Sequence, residues 1–259
     1  RILLNMSSIG IIPCLSDNYA YIIRDEQTKK NILVDAPEHA PIEKYLDDKA
    51  MSLDFILITH HHSDHIDGID YLKLKYGPKV IGAKRDKHRL PPLDIEVEEG
   101  KQLSIGSKTF DIYDVDGHTV GHIAYGLLND KALFTGDSLM VMGCGRLFEG
   151  TPEDMWKSLE KLKKLPEDIM IYSGHEYTKS NIEFAITIDP QNEKLKARRR
   201  KELGLIQKGL PTVPSTLREE LDTNPFIREN EISIVNHLDM ANLDPISRFA
   251  KIRALKDNF

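Results

Sequence analysis

Four histidines and an aspartate crowd into Thr59-His60-His61-His62-Ser63-Asp64-His65, directly after a short apolar run at residues 55–58. Imidazole and carboxylate are the donors that hold first-row divalent metals. In a tight turn at a strand's end, alternate residues point the same way. His60 and His62 can therefore converge on one ion while Asp64 and His65 turn toward a neighbouring one, and His61 points elsewhere. One loop supplies too few ligands for two ions, so further donors are needed at other strand ends. His118 follows the run ending at Val115, Asp137 follows residues 132–135, and His175 follows residues 169–172. Gly117, Gly136 and Gly174 precede them, and glycine lets the backbone turn sharply beside an ion. Two ions about 3.5–4 Å apart share a water and lower its pKa toward about 7. The chemistry expected is hydrolysis by a hydroxide that bridges two metals.

The elements that must position these donors are legible from periodicity. Residues 9–13, 19–24 and 31–35 read as strands of a β-meander, separated by turn-prone stretches at 16–18 and 25–30. A helix over 40–48, a strand over 54–58 and a helix over 66–76 follow. Further strands are expected at 79–83, 107–115, 122–128, 132–135 and 169–172. A helix over 152–165 is entered through Thr151 as N-cap with Pro152 at its first position. After about residue 178 the pattern becomes helix-forming and charge-rich, as at 193–203, interrupted around Pro211-Thr212-Val213-Pro214. The expectation is an α/β domain over 1–176 and a smaller helical domain over 177–259.

Composition excludes several classes. Thirty-five basic against 41 acidic side chains give a net charge of −6, which argues against a general nucleic-acid binder. The run Arg198-Arg199-Arg200-Lys201 reads as exposed helix surface. Two cysteines are too few for a disulfide framework, so a reducing, cytoplasmic setting and a monomer are expected. No apolar run approaches the roughly 18 residues that span a bilayer, and the opening Arg1 to Ser8 lacks a secretory apolar region. Residue 1 is arginine, so an upstream segment is expected to be removed or missing, which leaves an organelle matrix open.

Taken together, T-H-H-H-x-D-H, G-H-T, G-D and G-H-E resemble the binuclear metallo-β-lactamase superfamily. Within it, Gly143-Cys144-Gly145-Arg146-Leu147-Phe148-Glu149-Gly150-Thr151, Gly174-His175-Glu176-Tyr177-Thr178, Asn224-Pro225-Phe226 and the ending Ile252-Arg253-Ala254-Leu255-Lys256-Asp257-Asn258-Phe259 resemble the glyoxalase II family. The resemblance implies an αββα sandwich with a C-terminal helical domain. It also implies hydrolysis of S-D-lactoylglutathione to glutathione and D-lactate, the second step of methylglyoxal detoxification. Carried over, His60, His62 and His118 would hold one metal, Asp64, His65 and His175 the other, and Asp137 would bridge both. Zinc suits such a site, and iron or manganese is also accepted. Asp64 and Asp137 would be catalytic, and Asp35 would orient a ligand histidine. Arg146, Phe148, Tyr177, Arg253 and Lys256 would meet the glutathione part, whose two carboxylates call for cations. Arg146 stands where the family usually has lysine, and Phe148 where it often has tyrosine. A β-lactam hydrolase, an RNA-processing nuclease of the same superfamily and a non-catalytic metal sensor remain as other readings of the ligands.

Overall fold

The computed structural model describes residues 8–259, so all but Ser8 of the opening Arg1 to Ser8 lies outside the described residues. Two compact units emerge. One holds the described residues up to Asp114 with Gly121–Gly136, the other Val115–Val120 with Asp137–Phe259.

The first unit opens with strands β1 (Ser8–Cys14), β2 (Asn18–Arg24) and β3 (Asn31–Val34), which pair antiparallel as the meander expected. Helix α1 (Ala40–Asp48) then carries the chain to β4 (Phe55–Leu57), which lies parallel to β3. Parallel neighbours need a crossover, and α1 supplies it. Helices α2 (Ser63–Ile66) and α3 (Ile69–Tyr76) lead to β5 (Lys79–Ala83), and β6 (Ile95–Val97) completes a sheet ordered β1-β2-β3-β4-β5-β6. A second, antiparallel layer contains β7 (Gln102–Ile105), β8 (Lys108–Asp114), β9 (Ile123–Leu127) and β10 (Ala132–Gly136).

Strand alternation makes the layers. Ala20 and Ile22 of β2 join Leu33, Ile56 and Val80 in a core closed by Ile42 and Leu46 of α1 and Ile69 and Leu72 of α3. Each of the leucine, isoleucine and valine side chains, fully buried, contributes about 1.5–3 kcal/mol. The intervening residues Tyr21 and Ile23 are buried on the opposite face, where the Tyr21 ring meets Phe134 of β10 at 5.7 Å. The Tyr125 hydroxyl of β9 donates to the Ile58 carbonyl at 2.8 Å. A polar tie closes the far edge: buried Asp25 accepts from Ser107 N and Ser107 Oγ, both at 2.7 Å, across 82 residues of chain. Burial opposes its ionisation, but hydrogen bonds from Thr28, Ser107 and Gln27 overcome that and hold the carboxyl well below the usual range.

The helix expected over 66–76 is two pieces. Between them Gly68 N donates to the Ala36 carbonyl at 2.9 Å, and a Cβ at Gly68 would lie 2.7 Å from the Glu38 carbonyl carbon. Docking against the loop after β3 interrupts the helix.

In the second unit, β11 (Leu139–Met140) and β12 (Gly143–Cys144) form a short hairpin. Helix α4 (Pro152–Leu162) starts at Thr151, whose side chain accepts from Asp154 N while Asp154 accepts from Thr151 N, a reciprocal cap. Strand β13 (Met170–Ser173), helices α5 (Thr178–Ile188) and α6 (Glu193–Gln207), strand β14 (Ser215–Thr216), α7 (Leu217–Thr223), α8 (Ile232–His237) and α9 (Pro245–Asp257) follow. In its core Phe184 stacks on Phe226, and Phe249 meets Phe226 edge-on.

Arg198 departs from the exposed basic run expected. Leu195, Arg198 and Glu202 are the buried residues of α6, spaced three and four apart on one face. The guanidinium meets Glu220 at 2.6 Å, Thr223 Oγ1 at 2.7 Å and Glu202 at 3.3 Å. The basic run has one inward-facing member, neutralised by Glu202 one helical turn on and by Glu220 22 residues along the chain.

Candidate metal centre

Each unit presents one cluster of imidazoles and carboxylates. In the first, β4 ends at Leu57 and the chain runs through Thr59 and the histidines into α2. His60 Nε2 lies 3.2 Å from His62 Nδ1, and the His60 and His65 rings are 4.1 Å apart. His65 Nε2 stands 3.8 Å from Asp64 Oδ2. His61 points away, its Nδ1 3.5 Å from Asp86 Oδ2. His122 is buried, stacked on His60 at 4.5 Å, with Nδ1 3.1 Å from the Ile123 carbonyl.

Asp35 organises this cluster as expected. Just past β3 it takes φ of +57°, a conformation that Asp tolerates better than most residues. From there Oδ1 accepts from Thr59 N at 2.8 Å, while Oδ2 accepts from Thr59 Oγ1 at 2.7 Å and pairs with His65 Nδ1 at 2.8 Å.

In the second unit, His118 Nε2 and His175 Nε2 lie 3.3 and 3.1 Å from the same oxygen, Asp137 Oδ2. All three residues are buried. The backbone permits this approach through glycines: Gly117 has φ of +145°, and a Cβ there would press on Met155 at 2.7 Å. A Cβ on Gly145 would lie 1.9 Å from the Asp137 carbonyl oxygen. Gly145 lies eight residues beyond Asp137, so no local sequence signal marks this approach, unlike the glycines that immediately precede His118, Asp137 and His175.

Whether a metal suits these groups depends on where the imidazole protons sit. Thr59 Oγ1 gives its hydrogen to the Asp35 carboxylate, so at 3.0 Å it can only accept from His60 Nδ1. His65 Nδ1 faces Asp35, and His118 Nδ1 faces the Arg146 carbonyl at 2.7 Å, both acceptors. Three imidazoles are thereby held with the proton on Nδ1 and the Nε2 lone pair turned to their clusters. Donors at the corners of a tetrahedron with bonds of about 2.0–2.1 Å lie about 3.3 Å apart. The contacts of 3.2 Å in one unit and 3.3 and 3.1 Å in the other have that spacing. The donor set fits divalent metal.

The residues expected at the thiol part all lie in the second unit. Phe148 is 62% exposed and sets its ring edge on His118 at 5.2 Å. Tyr177 stacks on His175 at 4.6 Å and 9°. The Arg146 side chain is 59% exposed, with Nε 3.7 Å from Asp257. Lys256 Nζ donates to Ser180 Oγ at 2.7 Å and lies over the Phe184 and Phe259 rings. Burial, then the neighbouring Arg253 charge, pull its pKa down. Arg253 itself is 5% exposed, donating to the Cys144 carbonyl at 2.9 Å and to Asp257 at 2.8 Å over the face of Phe226. Its head group is committed inside the unit. Burial pushes the Cys14 thiol up to about 12 and raises the Cys144 thiol against the pull of Arg253, so neither offers a thiolate nucleophile near neutrality.

Sandwich strands carrying a histidine-rich loop, with aspartate and histidine donors at further strand ends, define the metallo-β-lactamase class of metal-dependent hydrolases, and the family profile "Metallo-beta-lactamase superfamily" matches residues 16–175. A second profile, "Hydroxyacylglutathione hydrolase C-terminus", matches residues 176–259. The chain belongs to the hydroxyacylglutathione hydrolase family. A hydroxyacylglutathione hydrolase of Ruegeria pomeroyi is 54% identical over 251 residues, covering 97% of this chain and 98% of the relative. One of Jannaschia sp. is 51% identical over 96% of this chain and 97% of its own length. The crystal structure of ETHE1 from Myxococcus xanthus shares the fold, with a TM-score of 0.65 at 23% identity, covering 96% of this chain and 98% of that one. The α/β sandwich with C-terminal helices read from the sequence is the observed fold class. Among the described residues, no helix is long and apolar enough to cross a membrane.

Proposed function

We propose that the chain hydrolyses glutathione thioesters of 2-hydroxy acids, S-D-lactoylglutathione foremost, giving glutathione and D-lactate as the second step of methylglyoxal detoxification in the cytoplasm. The observation that carries this reading is a single carboxylate oxygen of Asp137 with two imidazole nitrogens at ligand spacing, in a chain of this family. In this reading His60, His62 and His118 hold one divalent ion, Asp64, His65 and His175 a second, and Asp137 serves both. Zinc suits the nitrogen-rich set best, and iron or manganese would also be accepted. When bound, such ions lower the pKa of a shared water and polarise a thioester carbonyl.

The protein's own side chains do the rest. Asp64, whose side chain is 37% exposed, accepts a hydrogen bond from the attacking water and orients it. Asp35 keeps the His65 proton on Nδ1. A thiol pKa near 8.5 makes thiolate a good leaving group, so no dedicated general acid is required. The helical region over 177–259, with the loop after β12, forms the glutathione subsite. Arg146 and Lys256 meet the two carboxylates, Tyr177 and Phe148 flank the thiol, and Arg253 buttresses the Cys144 backbone. Phe148 offers no hydroxyl, which lowers affinity by about 0.5–1.5 kcal/mol where a tyrosine would donate.

A substrate panel tests the assignment. S-D-lactoylglutathione should be turned over at least about a hundredfold better, in kcat/KM, than a coenzyme A thioester or a β-lactam such as nitrocefin. The double variant Arg146→Ala with Lys256→Ala should raise KM for glutathione thioesters about tenfold or more at similar kcat. An unchanged KM, or nitrocefin turnover equal to that of the thioester, would remove the glutathione reading.

A further inference from the structure

Asn18 follows a turn-prone Ser16-Asp17 pair and would ordinarily serve as a turn residue in solvent. Here it is 4% exposed at the first position of β2, paired with Cys14 of β1. Its Nδ2 donates to the Asp64 carbonyl oxygen at 2.9 Å and to Asp64 Oδ2 at 3.0 Å, across 46 residues of chain. Both partners are acceptors, so only the amide nitrogen can face them. A buried amide is retained where its hydrogen bonds have work to do.

That work is visible in what surrounds Asp64. Helix α2 has four residues and is too short to fix a side chain by packing. Of its two donor residues, His65 is buried and held through Nδ1 by Asp35, whereas the Asp64 side chain is 37% exposed. Asn18 grips the backbone and the carboxylate of Asp64 with one amide group. It thereby holds Oδ2 at 3.8 Å from His65 Nε2. We infer that Asn18 is a positioning residue for Asp64, doing for this carboxylate what Asp35 does for His65, so that it sets the affinity of one of the two ions and the orientation of the attacking water. The inference rests on the two-ion reading of Asp64 given above. Outer partners of metal ligands commonly change metal affinity or activity about 10–100-fold when removed.

The test compares wild type with Asn18→Ala and Asn18→Asp. Asparagine and aspartate have nearly the same shape, so the second variant keeps the packing while replacing the donor with an acceptor that repels the Asp64 carboxylate. Metal competition titrations against a chromophoric chelator, Co(II) absorption spectra, thermal melting and separate kcat and KM values are read for each. Wild type should bind two ions. Both variants should weaken one of them about 10–100-fold and leave the other unchanged, with an altered Co(II) spectrum. Each should lower kcat about tenfold or more with KM within about twofold. An Asn18→Asp protein with wild-type metal affinities and kcat would overturn the inference, since packing alone would then explain the residue. A wild type that binds fewer than two ions would remove the two-ion reading itself, and this inference with it.

Discussion

Asp137→Ala should abolish thioester hydrolysis, lowering kcat/KM by about a thousandfold or more, and should strip metal from the protein in parallel. The residue is 4% exposed, and its Oδ2 is the point on which His118 and His175 converge at 3.3 and 3.1 Å. Removing that oxygen leaves two buried imidazoles without the anion they share, and in the two-ion reading proposed above several kcal/mol of transition-state stabilisation depend on it. A thousandfold corresponds to about 4 kcal/mol. Asp137→Asn, which keeps the shape and loses the charge, should fall nearly as far, whereas the fold should survive both changes. Metal analysis and steady-state kinetics on the same preparations check this. Full activity with full metal content would contradict it.

Glu220→Ala should cost about 3–5 kcal/mol of stability, the amount expected when one partner of a buried ion pair is removed. Glu220 is fully buried. Its Oε1 accepts from Arg198 and Ser215 at 2.6 Å each, and its Oε2 from Met142 N at 2.8 Å and Asn224 Nδ2 at 3.0 Å. Asn224 in turn donates to the Met140 and Gly143 carbonyls at 3.2 and 3.0 Å. The hairpin so held leads to Arg146, whose carbonyl faces His118 Nδ1 at 2.7 Å. Loss of Glu220 therefore leaves Arg198 with Glu202 at 3.3 Å, and loosens the support of His118. Against a total stability of about 5–15 kcal/mol that is a large fraction. Urea denaturation should show the drop, with Glu220→Gln smaller because the amide oxygen still accepts. A change below about 1 kcal/mol would mean that this network is dispensable.

What the sequence made legible follows from how local each signal is. The span of α1 and the Thr151 N-cap with Pro152 at the first position depend on residues close along the chain, and both stand as expected. The crowding of four histidines and an aspartate into residues 60–65 is a local signal, and the structure brings His60, His62 and His65 close together there. The contact of Asp35 with His65 was readable only through the family resemblance, because a strand-end aspartate by itself reads as a turn residue. Edge strands β6 and β7 went unread, being only three and four residues long, as did the two-residue strands β11, β12 and β14. Arg198 was hidden inside a run of cations, where only long-range partners tell the inward residue from its neighbours. Asn18 was hidden by being a good turn residue, because its partner is 46 positions away. The break at Gly68 arises from contact with the loop after β3, which helical periodicity cannot register.

The central claim is that donors of the histidine loop and donors centred on Asp137 together hold two ions. Metal content per chain of the purified wild type, after equilibration with excess zinc and removal of loosely held ions, tests it most directly. The account predicts two ions per chain, and a content of one ion or none would contradict it.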